Sequence, residues 1–195
     1  MADVALDKST TALLIADFYA EMMNTIPHAI DRGVVEKTRA LQQAARDAGI
    51  MVCYSATVFR TGYPEISDRN KTFSQRKASG QPAVSDPIQV IHEAVSPVDG
   101  EVVAGKHRVN AMFGTDLEMS LRANNIETLV MLGYATSGVV LSTTRYAADA
   151  DFRLIIVEDC CSDQDPEVHD FLTQRIFPRQ ADVVLAADVI QALSA

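Results

Sequence analysis

The sequence predicts an α/β fold, a three-layer α/β/α arrangement with a six-stranded parallel sheet. Three observations lead there. Short apolar runs of strand length recur along the 195 residues. Segments with helical periodicity lie between most of them. Polar residues cluster where several of those runs end, on one side of such a sheet. Parallel neighbours need crossovers, and the crossovers cover both faces with helices.

The elements follow in order. TALLIADF (Thr11–Phe18) is an apolar run suited to a strand buried on both faces. Val34–Ala48 repeats apolar residues at helical spacing and stops at Gly49. IMVCYSATVF (Ile50–Phe59) is β-branched and aromatic, hence the second strand. Arg60–Asn70 reads as a loop, marked by Gly62 and Pro64. The stretch to about Gln81 is polar and irregular, a lid or an interface. Pro87–Ala94 reads as a short helix and Glu101–Lys106 as the third strand. Thr115–Asn124 reads as a helix capped by Thr115, with Glu118 completing a capping box. Thr128–Gly133 is the fourth strand, Gly138–Ala150 a helix and Phe152–Val157 the fifth strand. Pro166–Ile176 (helix), Ala181–Leu185 (strand) and Ala187–Leu193 (helix) complete the series. No repeat, low-complexity tract or linker divides the chain, so one domain over 1–195 is expected.

Composition limits the function. Hydrophobic residues make up 48% and charged residues 22%, a balance that supports a packed core. Seventeen basic and twenty-six acidic residues leave a net charge of −9. That balance opposes nucleic acid or an anionic membrane as partner, since both attract cationic surfaces. No apolar run is long enough to span a bilayer. The start, MADVALDKST, lacks the pattern of a signal peptide. Three cysteines make no disulfide framework and read as reduced thiols of a cytoplasmic protein.

In an open parallel sheet, ligands bind beyond the carboxyl ends of the strands, where strand order reverses. Asp17, Lys106 and the segment Gly133–Val139 fall at such ends. The last also offers backbone N–H groups at a helix start, which suit a carboxylate or a developing oxyanion.

Those segments carry a resemblance. LLIADF, and then VAGKHRVNAMFGTDLEMSLRANNIETLVMLGYATSGVVLSTTRYAADADFRLIIVEDCCSD, resemble the isochorismatase-like hydrolases. That family includes nicotinamidases, N-carbamoylsarcosine amidases and isochorismatases. The resemblance implies their Rossmann-like fold, a small-molecule substrate and a homodimer or homotetramer. Many members use an Asp, a Lys and a Cys. Asp17 and Lys106 match the first two, while Val139 stands where the Cys is expected. The resemblance further implies a cis peptide at Tyr134–Ala135, with the amides of Ala135 and Val139 pointing into the pocket. Where many relatives read D-x-Q, this chain has Asp17-Phe18-Tyr19. No counterpart of the metal-binding Asp/His cluster of nicotinamidases is evident. His28, His92, His107 and His169 are scattered, so no metal is expected. The chain lacks G-x-G-x-x-G after its first strand, so no dinucleotide cofactor is expected either.

Each candidate also has an ordinary reading. Asp17 serves proton transfer, or caps a turn. Lys106 keeps Asp17 ionised and orients a substrate oxygen, or is a solvated residue. Val139 lines the pocket floor, or only begins a helix. Thr136 and Ser137 are replacement nucleophiles, or Thr136 bonds backbone within its turn. Ser142 is a packing or helix-surface residue. Cys160 and Cys161, placed after the fifth strand, are candidate thiols, or structural. Tyr19, Phe113 and Tyr134 wall the pocket, or are core, as are Phe18 and Phe59. Arg60 holds a substrate anion, or makes a surface ion pair. Two functions compete: a hydrolase using Asp17 and Lys106 without a cysteine nucleophile, and an inactive relative that binds a small molecule or serves in an assembly.

Overall fold

The computed structural model describes residues 4–195. Six parallel strands form one sheet: β1 (Thr11–Ala16), β2 (Met51–Thr57), β3 (Val102–Lys106), β4 (Thr128–Tyr134), β5 (Arg153–Ser162) and β6 (Asp182–Val184). Their order is β3-β2-β1-β4-β5-β6. Growth runs outward from β1 to β3 and then restarts on the other side of β1. The reversal therefore falls between β1 and β4, and their carboxyl ends diverge into a crevice.

Every residue of β1 is buried, as its unbroken apolar run requires of a strand covered on both faces. Helix α1 (Ala20–Thr25) and helix α2 (Pro27–Asp31) follow. Both are short, and the sequence reading did not anticipate them. Helix α3 (Val34–Asp47) buries Val34, Thr38, Leu41, Gln42 and Ala45 as one stripe. It packs with the last helix, α8 (Ala186–Ser194). Between them lie α4 (Lys71–Ala78), α5 (Leu117–Ala123), α6 (Leu141–Asp149) and α7 (Pro166–Phe171). Right-handed crossovers put α3 on one face and α5, α6 and α7 on the other. The Tyr146 hydroxyl of α6 donates to Glu118 of α5 at 2.8 Å and joins those two helices.

Four sequence expectations need correction. The capping box at Thr115 does not form. The Thr115 hydroxyl donates to the Ala111 carbonyl instead, α5 begins at Leu117, and Glu118 serves Tyr146. Residues 71–78, expected to be irregular, form α4, because the Asn70 side chain caps it by accepting from the Phe73 N–H at 3.0 Å. Pro87–Ala94 forms two single 3₁₀ turns, Pro87–Val90 and Glu93–Val95, each with its own side-chain cap. Strand β5 runs to Ser162 rather than Val157. Its charged pair stays in the strand because Glu158 meets Arg32 and Asp159 meets Lys37. Cys160 and Cys161 therefore lie within β5, fully buried.

Pairing of β1 with β4 ends at Ala16–Gly133. There a Cβ on Gly133 would sit 1.9 Å from the Ala16 carbonyl oxygen, and Gly133 has φ 144°. Only glycine lets the two strands stay paired up to the crevice. Gly133→Ala is expected to destabilise the fold by more than ~3 kcal/mol, at the far end of single substitutions. Urea unfolding of the variant checks this, and a loss under about 1 kcal/mol would contradict the packing described.

Candidate active site

The crevice opens into a cavity of about 590 Å³. Seven of the residues singled out in the sequence line it: Asp17, Tyr19, Phe59, Lys106, Tyr134, Ala135 and Val139. Two others do not. Arg60 lies in the exposed loop after β2 and pairs with Glu65 at 2.9 Å, so the surface ion pair is what forms. Phe113 is 59% exposed. Asn110 Oδ1 accepts from the N–H groups of both Met112 and Phe113, and that turn buries Met112 while leaving Phe113 outside.

Asp17 follows β1 with φ 49°, a left-handed conformation that Asp tolerates better than most residues. Its N–H donates to the Ser55 carbonyl at 2.8 Å. Lys106 ends β3, two strands away, and is 1% exposed. Its side chain crosses the end of β2 to reach Asp17, with Nζ 2.6 Å from Oδ2. On the way Nζ donates to Thr57 Oγ1 at 2.6 Å and to the Arg108 carbonyl at 3.1 Å. An ammonium has three N–H groups, and all three are engaged. Lys106 thus has no free donor for a substrate oxygen, and its contribution passes through Asp17.

Tyr19 completes the arrangement. Its hydroxyl donates to Asp17 Oδ1 at 2.6 Å and accepts from the Thr57 N–H at 2.8 Å. Each Asp17 oxygen then has one donor and keeps a second lone pair. Burial pushes the Asp17 carboxyl above its ordinary value, against the pull of the Lys106 charge and the hydrogen bonds from Lys106 and Tyr19. Burial pushes Lys106 down, against the field of Asp17. It also holds Tyr19 well above its usual range, so Tyr19 stays a phenol. The result is a carboxyl whose proton affinity is set by desolvation opposed by one cation.

The far wall is the turn after β4. The Tyr134–Ala135 peptide is cis. A single π turn, Thr136–Val140, follows, and α6 starts at Leu141. Val139 is buried and lines the cavity. Thr136 is fully buried, and its hydroxyl meets His169 Nδ1 at 2.8 Å rather than the backbone of its own turn. The Ser137 N–H donates to Asp163 Oδ2 at 2.7 Å. Neither residue lines the cavity. Cys160 and Cys161 are also outside it, and burial pushes the Cys161 thiol up to about 12.

Met22, Phe73, Val90 and Val109 supply much of the remaining wall, with Glu21 and Arg76 as its other charges. The lining from α1 and α4 was not foreseen, because those helices were not. Asp163 and His169 were missed as site neighbours too. Asp163 closes the segment that carried the resemblance, which was the available signal; nothing marked His169. Among the described residues, no three His, Cys, Asp or Glu side chains converge as a metal would need. No helix among them is long and apolar enough to cross a membrane.

Because each ion is buried, removing one partner costs more than removing both charges. Lys106→Met is expected to destabilise by about 3–5 kcal/mol, since Asp17 is left alone in a dry site. Adding Asp17→Asn, which suits the left-handed backbone, is expected to restore most of that loss. Urea unfolding of the two variants decides it. A double variant no more stable than Lys106→Met would contradict the pairing.

Comparison with known proteins agrees with this fold. The chain matches the isochorismatase domain over residues 11–188. It is 30% identical over 185 residues to a maleamate amidohydrolase of Pseudomonas putida, covering 93% of this chain and 86% of that protein. It is 32% identical over 164 residues to an N-carbamoylsarcosine amidase of an Arthrobacter species, covering 83% of this chain and 62% of that protein. Its fold superposes on an isochorismatase family protein from Burkholderia thailandensis with a TM-score of 0.84, over the whole of both chains at 27% identity. With a family match across nearly the whole sequence and a like fold, the chain belongs to the isochorismatase family of hydrolases.

Proposed function

We propose that the protein hydrolyses a small molecule by acid–base chemistry at Asp17, without a cysteine nucleophile and without a covalent intermediate. The observation that carries this reading is the Asp17–Lys106 pair at 2.6 Å in a cavity that Val139 also lines. An isopropyl group attacks nothing and no thiol lines the cavity, so we assign the attack to water.

A vinyl ether suits such a site. Protonated Asp17 delivers its proton to the terminal alkene carbon, leaving an oxocarbenium ion. Water adds to the cationic carbon, and its proton returns to the Asp17 carboxylate. The resulting hemiketal collapses to a ketone and an alcohol. Lys106 and Tyr19 hold the carboxylate in place during the ionised phase, and burial raises its proton affinity for the acid phase. We assign the amides of Ala135 and Val139 to the departing oxygen, which gains negative charge as the hemiketal collapses. Arg76 adds a cation at the wall whose hydrogen bonds go to the neutral acceptors Gln81 and Pro82, which suits an anionic group on the substrate.

The competing reading is a binding protein without turnover. It is favoured by the same Val139 and by a cavity with no thiol in its lining. A panel of enol ethers, amides and carbamates separates the two. The hydrolase reading expects wild-type turnover on the enol-ether arm and a loss of at least ~100-fold in Asp17→Asn, the scale of general acid–base catalysis. It also expects the rate to fall as pH rises through the Asp17 titration, because the acid form starts the reaction. Undiminished turnover in Asp17→Asn would reject the role of Asp17. No turnover on the whole panel, with a metabolite retained by purified wild type, would establish the binder.

A further inference from the structure

Behind the turn, on the side away from the cavity, lies a second polar cluster that the reaction does not use. His169, on α7, is completely buried. Its Nδ1 is 2.8 Å from Thr136 Oγ1, and its Nε2 is 3.4 Å from Glu158 Oε2. Glu158 is paired with Arg32, which also donates to the Glu158 carbonyl at 3.1 Å. The His28 ring packs edge-on against His169, with centroids 4.8 Å apart. His28 Nδ1 in turn faces Ser162 Oγ at 3.2 Å and the Asp163 N–H at 3.4 Å.

Carboxylate, imidazole and hydroxyl in this sequence of contacts have the form of a nucleophilic triad. The position excludes that use. Thr136 is fully buried and absent from the cavity wall, so no substrate carbonyl can approach its oxygen. What the three groups do touch is the turn itself. Thr136 is next to Ala135 and three residues from Val139, both of which line the cavity. Asp163 grips the adjacent Ser137 N–H from the same side.

We propose that Glu158, His169 and Thr136 form a positioning relay that fixes the Tyr134–Val139 turn from behind. His169 holds one tautomer. Its Nε2–H donates to Glu158, and its Nδ1 accepts from the Thr136 hydroxyl, leaving no buried polar atom of the ring without a partner. Arg32 anchors Glu158, and so the end of α2 is tied to the cavity wall through three side chains. These are positioning residues: they act on substrate only through the backbone of the turn. The relay bears on turnover only if the proposed reaction is right, but its physical content does not depend on it.

The test uses the whole protein and needs no substrate. Nitrogen-15 NMR of wild type is expected to show a proton on His169 Nε2 and Nδ1 acting as an acceptor. Hydrogen exchange of residues 135–140 is expected to accelerate about tenfold in Thr136→Val and in His169→Phe, the effect of losing one buried hydrogen bond. Thr136→Ser keeps the hydroxyl and is expected to stay within about twofold of wild type, while β4 exchange is unchanged in all three. A ring protonated on Nδ1, or on both nitrogens, would overturn the proposal. So would exchange in Thr136→Val equal to wild type, or a serine variant that fails to restore protection. Loss of turnover across the substrate panel with these results intact would sink the proposed reaction and leave the relay standing.

Discussion

A lysine and an aspartate, both buried, meet above the end of a strand that belongs to neither. That contact organises the site. Burying one unpaired ion costs several kcal/mol, and a pair offsets that only when its geometry is good and its remaining donors and acceptors are used. Here Lys106 gives its three N–H groups to Asp17, Thr57 and the Arg108 carbonyl. Tyr19 supplies Asp17 with its second donor. A well-packed hydrocarbon pair would hold the sheet as well or better, so stability does not account for the charges. The proton transfer proposed for Asp17 would.

The sheet makes the meeting possible. Strand order reverses between β1 and β4, and the close approach at Ala16–Gly133 keeps those strands paired up to the point where the crevice opens. On one side of the crevice stands Asp17, in a left-handed backbone conformation. On the other stands the turn with Val139. That turn is held from behind through Ser137 and Thr136, by side chains of the β5–α7 connection and of α7. Front and back of the turn have separate surroundings: the front lines the cavity, and the back meets Asp163 and His169.

Much of this was legible in the sequence, and for stated reasons. Buried strands read as unbroken apolar runs, so β1, β2 and β4 were clear. Asp17 and Lys106 stood out as charges placed where such runs stop. Other features depend on contacts between distant residues. Strand β5 continues through Glu158 and Asp159 only because Arg32 and Lys37 neutralise them. Helix α4 has no fully buried residue and hence no apolar stripe to read. Glu118 has the spacing of a capping box, yet Tyr146 of the next helix takes it. Arg60 and Phe113 lie near the right strand ends, but local hydrogen bonding turns them outward. His28 and His169 are 141 positions apart in the chain and touch in the fold.

The position of Val139 gives the family membership its particular meaning. The family scaffold and its buried Asp17–Lys106 pair are present, and the proposed reaction takes its attacking group from solvent. All of it rests on Asp17 and Lys106 being neighbours in solution. Carbon-13 NMR of the aspartate carboxyls, with Asp17 assigned through Asp17→Asn, measures this directly. The Asp17 resonance is expected to titrate above 3.8 in the wild type and higher still in Lys106→Met, because the lysine's charge pulls it down. A midpoint that does not move when Lys106 is removed would contradict the account.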